Sequence, residues 1–339
     1  MPVPCVPGIL TATQVVASAE AIAEWQLSSG MIPWIPGGHA DPWNHVESAM
    51  ALATAGLVNE AELAYEWLAE LQRPDGSWHN YYVADGIEDA KFDANCIAYI
   101  ATGIWHHWLT TGNREFADRF WPVVKPAMEF VIDLQTKRGE IIWARRPDGT
   151  PWSFALLTGS SSIAHSLACG IALSELLNDP QPEWASARRR LIHIISSQPE
   201  AFEAKDRWAM DWYYPVLGGA ITGDDAKVHL AARWDQFIME DKGCRCVYDR
   251  PWVTAAETSE CVIAHVAAGE RALALKLFSD AQSLRDDADG RYFTGMVYPE
   301  LIHFPDREKS TYTAAAVILA ADALFGETPT SELFAKHAE

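Results

Sequence analysis

The feature that most constrains the fold of this chain is a regular series of helices joined by alternately short and long connections. Apolar residues recur with the 3.6-residue period of a helix, whereas two-residue alternation over five or more positions is rare. Almost no strand is therefore expected. The pattern predicts helices over 11–29, 42–56, 60–72, 92–111, 114–136, 160–178, 183–198, 215–221, 224–239, 255–268, 270–285 and 310–325.

Several helix starts carry capping side chains. A side-chain oxygen at the position before a helix accepts a hydrogen bond from a free backbone N–H, and Pro is tolerated in the first turn. The predicted caps are Asp41 before Pro42, Asn113, and two capping boxes, Asn59 with Glu62 and Thr254 with Glu257.

The connections predict an all-α (α/α)6 toroid. The short ones are 57–59, 112–113, 179–182, 222–223 and 269, and the long ones are 30–41, 73–91, 137–159, 199–214, 240–254 and 286–309. Helices that follow long connections are the more apolar, which is typical of an inner ring inside an amphipathic outer ring. A right-angled solenoid or an open bundle would not explain the alternation. We expect one catalytic domain, 1–339, with every long connection on one face.

The charge of the chain limits the kinds of molecule that it is expected to bind. A net charge of -20 and a pI of about 4.9 disfavour nucleic acid and anionic membranes, so a neutral ligand fits better. The N-terminal MPVPCVPGILTATQ lacks the features of a signal peptide, and the six cysteines lack disulfide or zinc spacing. We expect a cytoplasmic protein with reduced thiols and no metal or cofactor, and a short frayed tail, SELFAKHAE. The oligomeric state stays open.

The long connections are rich in aromatic rings, carboxylates and amides. Sugar faces stack on aromatic rings while carboxylates and amides take up hydroxyl groups, so this composition predicts an oligosaccharide or polysaccharide cleft. The alternative is that the aromatic side chains only fill the centre of the toroid. The candidate substrate-binding residues are Trp34, His39, Trp43, Asn44, His45, Glu47, Asp93, Trp152, Tyr213, Tyr214, Arg250, Trp252, Glu257 and Tyr298.

Glycoside hydrolysis needs two carboxyl groups, an acid that protonates the leaving oxygen and a partner that activates water or attacks the sugar. Asp41 and Glu260 are the predicted pair, with Asp211 and Glu300 in reserve. Other interpretations stay open: Asp41 and Asp93 as helix caps, Glu257 as part of a capping box, and Glu47 as a buried partner for an Arg.

Several segments resemble known toroid families. LQRPDGSW at 71–78 resembles the Q-x-x-x-G-x-W motif of squalene cyclases and prenyltransferase β subunits, where its role is structural. The segment 93–135 and the run STYTAAAVILAADAL resemble glucoamylase and trehalase-like (α/α)6 glycosidases. That resemblance implies an inverting attack on an α-linkage and points to Glu300 as the base. No counterpart of the glucoamylase acid motif is present.

The whole chain, with DPWNHVESAMAL and DRPWVTAAETSE, is similar to actinobacterial proteins often labelled prenyltransferase-like. They include the mycobacterial methylmannose polysaccharide hydrolases, which implies a mannosidase that cleaves internal α-1,4 bonds. One alternative is an isoprenoid-binding toroid, a transferase or cyclase, for which Arg145 and Arg146 are the candidate diphosphate patch. Another is a sugar-binding scaffold without activity.

Overall fold

A computed structural model describes residues 2–335. Within that range, thirteen α-helices account for most of the ordered backbone, together with two short 3-10 turns at Pro199–Ala201 and Gln282–Leu284. The helices α1 to α13 are, in order, Ala12–Ala23, Pro42–Thr54, Val58–Leu71, Ala94–Thr111, Arg114–Asp133, Leu157–Leu176, Pro182–Ser197, Met210–Leu217, Gly223–Ala232, Trp234–Phe237, Ala255–Ala267, Arg271–Ala281 and Thr311–Phe325.

Six helices form a closed inner ring. In chain order α2, α4, α6, α8, α11 and α13 each pack against the next, and α13 packs against α2. The helices α3, α5, α7, α9 and α12 pack outside the inner helix that precedes each of them, and α1 packs outside α13. The closing contact between α13 and α2 excludes the solenoid and the open bundle, and the predicted (α/α)6 toroid is confirmed.

The inner and outer helices differ in burial as the sequence predicted. Helices α4 and α13 are buried over most of their lengths, whereas α5 and α7 alternate buried and exposed positions with a helical period. An amphipathic helix buries one stripe and leaves the other face to water, while a helix that is apolar all round must be enclosed. Within residues 2–335, no helix has both the length and the apolar character needed to cross a bilayer.

The long connections contain short strands, which the sequence prediction missed. Each strand has two to four residues, too few to produce a readable two-residue period. The strands β1 to β9 are Tyr81–Val83, Gly86–Asp89, Phe92–Asp93, Ala144–Arg145, Ile238–Met239, Gly243–Cys244, Trp252–Thr254, Gly295–Val297 and Ile302–His303. The largest sheet has the order β7-β8-β9, and its antiparallel register pairs Trp252 with Val297 and Val297 with Ile302.

Some predicted boundaries were wrong. Helix α8 begins at Met210 rather than 215, because Pro215 lies inside the helix instead of starting it. The predicted helix 224–239 is divided into α9, α10 and β5, and the helix predicted over 11–29 ends at Ala23. The earlier start of α8 puts Asp211 in its first turn.

Two of the predicted caps are confirmed and two are not. The side chains of Asp41 and Asn113 accept backbone N–H groups of α2 and α5. Helix α3 starts after Leu57, so the box of Asn59 and Glu62 does not form. The Thr254 hydroxyl donates to the Glu257 carboxylate and makes no cap bond to the backbone.

The Gln72-x-x-x-Gly76 motif ties neighbouring outer helices together. The Gln72 amide donates to the Gly76 carbonyl at 3.1 Å and to the Val123 carbonyl of α5 at 2.7 Å. Gly76 has φ +85°, and a Cβ there would lie 2.3 Å from the backbone of Pro126, so only glycine fits.

The same pair of glutamine hydrogen bonds occurs twice more, although the motif's tryptophan is absent there. Gln26 joins Gly30 to Glu60 of α3, and Gln135 joins Gly139 to Ala187 of α7. The structural role implied by the sequence resemblance is thus visible in three places rather than one.

The chain beyond α13 packs under the ring. Asp322 accepts hydrogen bonds from the hydroxyl groups of Thr328 at 2.5 Å and Thr330 at 2.6 Å. The ring of Phe334 is buried and stacks on His165 of α6 with centroids 4.5 Å apart. The expectation of a frayed tail is therefore wrong for 331–335, because these apolar side chains cover the ring; residues 336–339 lie outside the described part.

Candidate active site

A cleft of about 350 Å³ opens among the long connections, above the N-terminal ends of inner helices. Aromatic rings and carboxyl groups dominate its wall, as the composition of the long connections predicted. Its lining consists of Trp34, Asp41, Trp43, Asn44, Glu47, Asn80, Tyr81, Lys91, Asp93, Cys96, Trp143, Met210, Trp252, Thr254, Ala256, Glu257, Glu260, Thr294, Tyr312 and Ala316.

A second cleft, of about 390 Å³, adjoins the first. The two share five lining residues, Trp43, Asp93, Cys96, Trp143 and Met210. Because their walls are shared, the two clefts form one elongated groove, which is long enough for more than one sugar ring.

Glu260 lies deep in the first cleft, near the start of α11. The hydroxyl groups of Tyr213 and Tyr214 donate to its two carboxylate oxygens, the second at 2.7 Å. Both tyrosines are buried in α8, so they fix the orientation of the carboxyl group. The side chain remains partly accessible from the cleft, yet protein atoms surround it. That desolvation, followed by repulsion from Glu47, raises the pKa of Glu260 well above its usual value.

Glu47, one and a half turns into α2, is the carboxyl group whose charge acts most strongly on Glu260. Its Oε1 accepts hydrogen bonds from Trp43 Nε1 and from the hydroxyl group of Tyr99, both at 2.9 Å. Burial raises the pKa of Glu47 to about 7, against the effect of these two donors. The interpretation of Glu47 as a partner for an Arg is wrong, because its partners are an indole and a phenol.

The two glutamates lie between the cleft and a small cavity beneath it. Both line the first cleft and also the cavity, whose lower wall includes Tyr99, Tyr214 and Phe334. The ring of Trp43 contacts Tyr99 and Tyr214, with centroids 5.9 Å and 5.8 Å apart. The Trp43 indole therefore packs against one tyrosine that binds Glu47 and one that binds Glu260, so a single aromatic cluster holds both carboxyl groups.

Asp41 caps α2 and also lines the cleft. Its Oδ1 accepts the backbone N–H of Asn44 at 3.0 Å, and its Oδ2 accepts Trp34 Nε1 at 2.7 Å and the Asn44 amide at 2.8 Å. Trp34 and Asn44 together hold this carboxyl group in a fixed orientation at the N-terminus of α2. The cap role and the cleft position thus coexist in this residue.

Asp93, the cap of α4, lines both clefts. It accepts the backbone N–H of Asn95 at 3.0 Å, and burial raises its pKa to about 6, although Lys91 opposes the shift. Lys91 itself pairs with Asp89 at 2.8 Å and lies 5.2 Å from the centre of the Trp143 ring. This wall of the groove combines a cation, an acid and an indole that was not among the predicted binding residues.

Asp211 lies in the second cleft rather than beside Glu260. The Thr158 hydroxyl donates to its Oδ1 at 2.6 Å, and the Thr158 N–H does so at 3.2 Å. Burial raises its pKa, with the Thr158 bonds opposing the shift. Asp211 is therefore placed to contact a sugar further along the groove.

His45 is a structural residue, contrary to the prediction that it binds substrate. Its Nδ1 accepts the Ile32 N–H at 3.1 Å and its Nε2 donates to the Ala64 carbonyl at 2.9 Å. Burial lowers its pKa to about 4. Both ring nitrogens are used inside the protein, so none is left for a sugar hydroxyl.

His39 does not line either cleft. Its ring stacks on that of Tyr81 with centroids 4.3 Å apart and so supports the cleft wall that Tyr81 forms.

Four further candidates lie outside both clefts. Trp152 packs edge-on against Trp143, at 5.3 Å between ring centroids, and is one layer behind the wall. Arg250 and Glu300 are exposed, and Glu300 occupies the turn between β8 and β9. Tyr298 is buried beneath the ammonium group of Lys242. Glu300 lines neither cleft, so its position does not match the role of base that the resemblance implies.

The two arginines that the isoprenoid alternative requires as a diphosphate patch do not face the groove. Arg145 pairs with Asp133 at 2.5 Å, and Arg146 lies over the Trp152 ring at 4.2 Å. Neither side chain lines a cleft. Within residues 2–335, no three His, Cys, Asp or Glu side chains are grouped closely enough to hold a metal ion.

Sequence reasoning missed several cleft residues. Cys96 and Tyr312 line the first cleft and Tyr99 lines the cavity beneath it, but in the sequence all three stand inside apolar helices that show no sign of a site. Lys91 and Trp143 belong to long connections, where the composition was the available signal. Their roles depend on neighbours far away in the sequence, and no local pattern reports them.

Comparison with known proteins adds a relative of nearly the same length. The chain is 51% identical over 332 residues to the MMP endo-(1,4)-3-O-methyl-α-D-mannosidase of Mycolicibacterium hassiacum, an alignment that covers 98% of this chain and 92% of that protein. No protein-family profile matches the chain.

Solved structures show the shared fold at low identity. A glycosidase superposes with a TM-score of 0.73 at 14% identity, covering 93% of this chain and 98% of that one. A D-mannose isomerase superposes with a TM-score of 0.68 at 11% identity, covering 93% and 99%. Since one toroid carries different sugar chemistries, the reaction must be argued from the residues in the cleft.

Proposed function

We infer that this chain, which belongs to the family of the MMP endo-(1,4)-3-O-methyl-α-D-mannosidase, is a glycoside hydrolase that cleaves internal α-1,4 bonds of a 3-O-methylated mannose polysaccharide. The observation that carries the proposal is the groove itself, where Glu260 and Asp41 line a cleft framed by Trp34, Trp43 and Trp252.

Glu260 is the proposed general acid. An acid must hold its proton at the working pH, and a carboxyl group whose pKa is raised by burial and by a nearby carboxylate does so. Its proton passes to the glycosidic oxygen as the bond from that oxygen to C1 breaks. Tyr213 and Tyr214 hold the group in place during this transfer.

Asp41 is the proposed general base. Trp34 and Asn44 hold its carboxyl group in place, and the carboxylate accepts a proton from the attacking water. Water then adds to C1 from the face opposite the leaving oxygen, so the anomeric configuration inverts. The sugar rings on either side of the broken bond stack on the indoles of the groove.

Isosteric variants of the two carboxyl groups test this assignment. Asp41→Asn and Glu260→Gln keep the shape of each side chain but remove its acid–base chemistry. We expect each to lower kcat on a 3-O-methylated α-1,4-manno-oligosaccharide by about 10²–10⁴-fold, with a smaller change in KM.

The matched control is Glu129→Gln, which removes an exposed carboxylate on the outer helix α5 and should leave the rate unchanged. Full activity in Glu260→Gln would overturn the role of the acid, and binding without cleavage by the unmodified protein would instead favour a sugar-binding scaffold. The panel of substrates should include α-gluco- and unmethylated α-manno-oligosaccharides.

Three further properties are part of the proposal. We propose that 1–339 acts as one catalytic domain, that it works in the cytoplasm, and that it needs no metal. Cell fractionation tests the second, and activity after exhaustive dialysis against EDTA tests the third; activity that falls and returns with an added metal would contradict it.

A further inference from the structure

Large apolar side chains are exposed mainly at the mouth of the ring. Among residues 2–335, eight such side chains are exposed, and six of them lie in the long connections. The two exceptions, Leu63 and Val228, are on outer helices. The six at the mouth are Ile87, Trp208, Tyr248, Leu301, Ile302 and Phe304.

Three of the six are neighbours in one hairpin. Leu301, Ile302 and Phe304 are 62%, 59% and 50% exposed. Leu301 lies in the turn before the edge strand β9, Ile302 lies on β9, and Phe304 directly follows it. We call these three residues the hairpin patch. An exposed apolar cluster at the mouth of a binding groove marks a contact surface more often than a chance feature of the surface.

The hairpin patch is continuous with the cleft. Trp252, which lines the cleft, donates from its indole nitrogen to the Phe304 carbonyl at 3.2 Å, and the two rings meet edge-on with centroids 5.2 Å apart. The sheet order β7-β8-β9 runs from Thr254, at the cleft wall, outward to Ile302. A chain that leaves the cleft across Trp252 therefore meets the hairpin patch next.

The backbone at Leu301 argues that this residue is not there to stabilise the turn. Its φ is 57°, in the left-handed region that favours Gly, Asn and Asp. A branched apolar residue in that conformation is strained, and its side chain points to no internal partner because it is mostly exposed. Strain of this kind is commonly kept at binding sites.

We propose that the hairpin patch is a subsite for the methyl ether groups of the substrate, and that it makes the enzyme prefer 3-O-methylated over unmethylated mannose chains. The inference rests on the proposed function and extends it. A methyl ether replaces a hydroxyl hydrogen with an apolar group, and aliphatic side chains such as Leu301 and Ile302 favour that group, whereas they offer nothing to a hydroxyl. Stacking on aromatic rings alone would not distinguish a methylated sugar from an unmethylated one.

The measured quantity is the ratio of kcat/KM for a 3-O-methylated α-1,4-manno-oligosaccharide to that for an unmethylated one of the same length. The double variant Leu301→Asn, Ile302→Thr suits the test because Asn tolerates positive φ and Thr keeps the β-branch of a strand residue. Burying one methyl group contributes about 0.8 kcal/mol, which is about four-fold, so losing two contacts should lower the ratio about 15-fold.

Val228→Thr is the matched control. It removes an apolar side chain that is 70% exposed on the outer helix α9 and should leave the ratio unchanged. A ratio that is the same in the double variant and the unmodified protein would overturn the subsite. So would an equal loss on both substrates, since that result indicates a general effect on the groove.

A binding measurement tests the methyl subsite independently of whether the protein cleaves the substrate. If the protein cleaves neither oligosaccharide, the hydrolase proposal fails, and calorimetric titration of both oligosaccharides into the protein still compares their affinities. Equal affinities, or a double variant that changes only the oligomeric state in sedimentation, would overturn the methyl subsite and indicate an interface between copies.

Discussion

Replacing Glu47 with Gln should make the protein more stable at alkaline pH. Both hydrogen bonds to Glu47, from Trp43 and Tyr99, end on the same carboxylate oxygen, so the Gln amide oxygen retains them. The variant therefore resembles the protonated side chain in shape and bonding. What it removes is the charge.

The size of the effect follows from the pKa of Glu47. That pKa is about 7 in the folded protein against an ordinary 4.5, and each pH unit between the two corresponds to about 1.4 kcal/mol. Below about pH 4.5 the group is protonated whether the chain is folded or unfolded, and the folded state keeps its full stability. As the pH rises through 7 the wild type loses about 3 kcal/mol, and Glu47→Gln does not.

The assay is the melting temperature of both proteins by calorimetry from pH 5 to 8.5. For a chain of 339 residues, about 3 kcal/mol corresponds to a change in Tm of about 4 °C. The Tm of the variant should therefore rise by about that much relative to the Tm of the wild type as the pH increases over this range.

Glu140→Gln is the opposite control. Burial alone would raise the pKa of Glu140, but hydrogen bonds from Arg138 and Thr136 outweigh it and lower the pKa. The Glu140→Gln substitution should therefore lower the stability of the protein most at pH values above the ordinary pKa of a glutamate. A gap between Glu47→Gln and wild type that stays constant with pH, or that closes toward alkaline pH, would refute the reasoning.

Three further outcomes are expected. Tyr214→Phe removes a donor to Glu260, so the pKa of that group should rise and the alkaline limb of kcat/KM should move up by about one pH unit, whereas Tyr65→Phe, whose hydroxyl donates to the Gly103 carbonyl, should leave the limb in place. Trp143→Ala should lower kcat/KM about ten-fold, mainly through KM, and an effect on kcat alone would contradict a stacking role. Phe334→Ala should destabilise the protein by about 3 kcal/mol, seen as a lower Tm, and an unchanged Tm would mean that the tail does not support the ring.

The ring could be predicted because its signals are long. Helices of ten or more residues show their period clearly, and the alternation of connections is repeated six times along the chain. The strands could not be predicted, since two to four residues give no period. The start of α8 was predicted too late, because a proline is expected near the start of a helix and Pro215 lies inside this one.

The site was predicted by composition and only partly by residue. Asp41 and Glu260 line the same cleft, at the mouth of the ring of inner helices, and their pairing as acid and base stays a prediction. His45 was misassigned since its partners, Ile32 and Ala64, are distant in sequence and no motif reports them. The coupling between Glu47 and Glu260 was equally hidden, because it arises from burial in the assembled ring.

The most direct test of the central claim is a time course on a reducing-end-labelled, 3-O-methylated α-1,4-mannan, followed by mass spectrometry and by NMR of the new anomeric centre. The account predicts early products of several lengths, each a multiple of whole sugars, with the β-anomer appearing first, and cleavage by Glu260→Gln that is slower by about 10²–10⁴-fold. An intact substrate, or single sugars released only from one end, would contradict it.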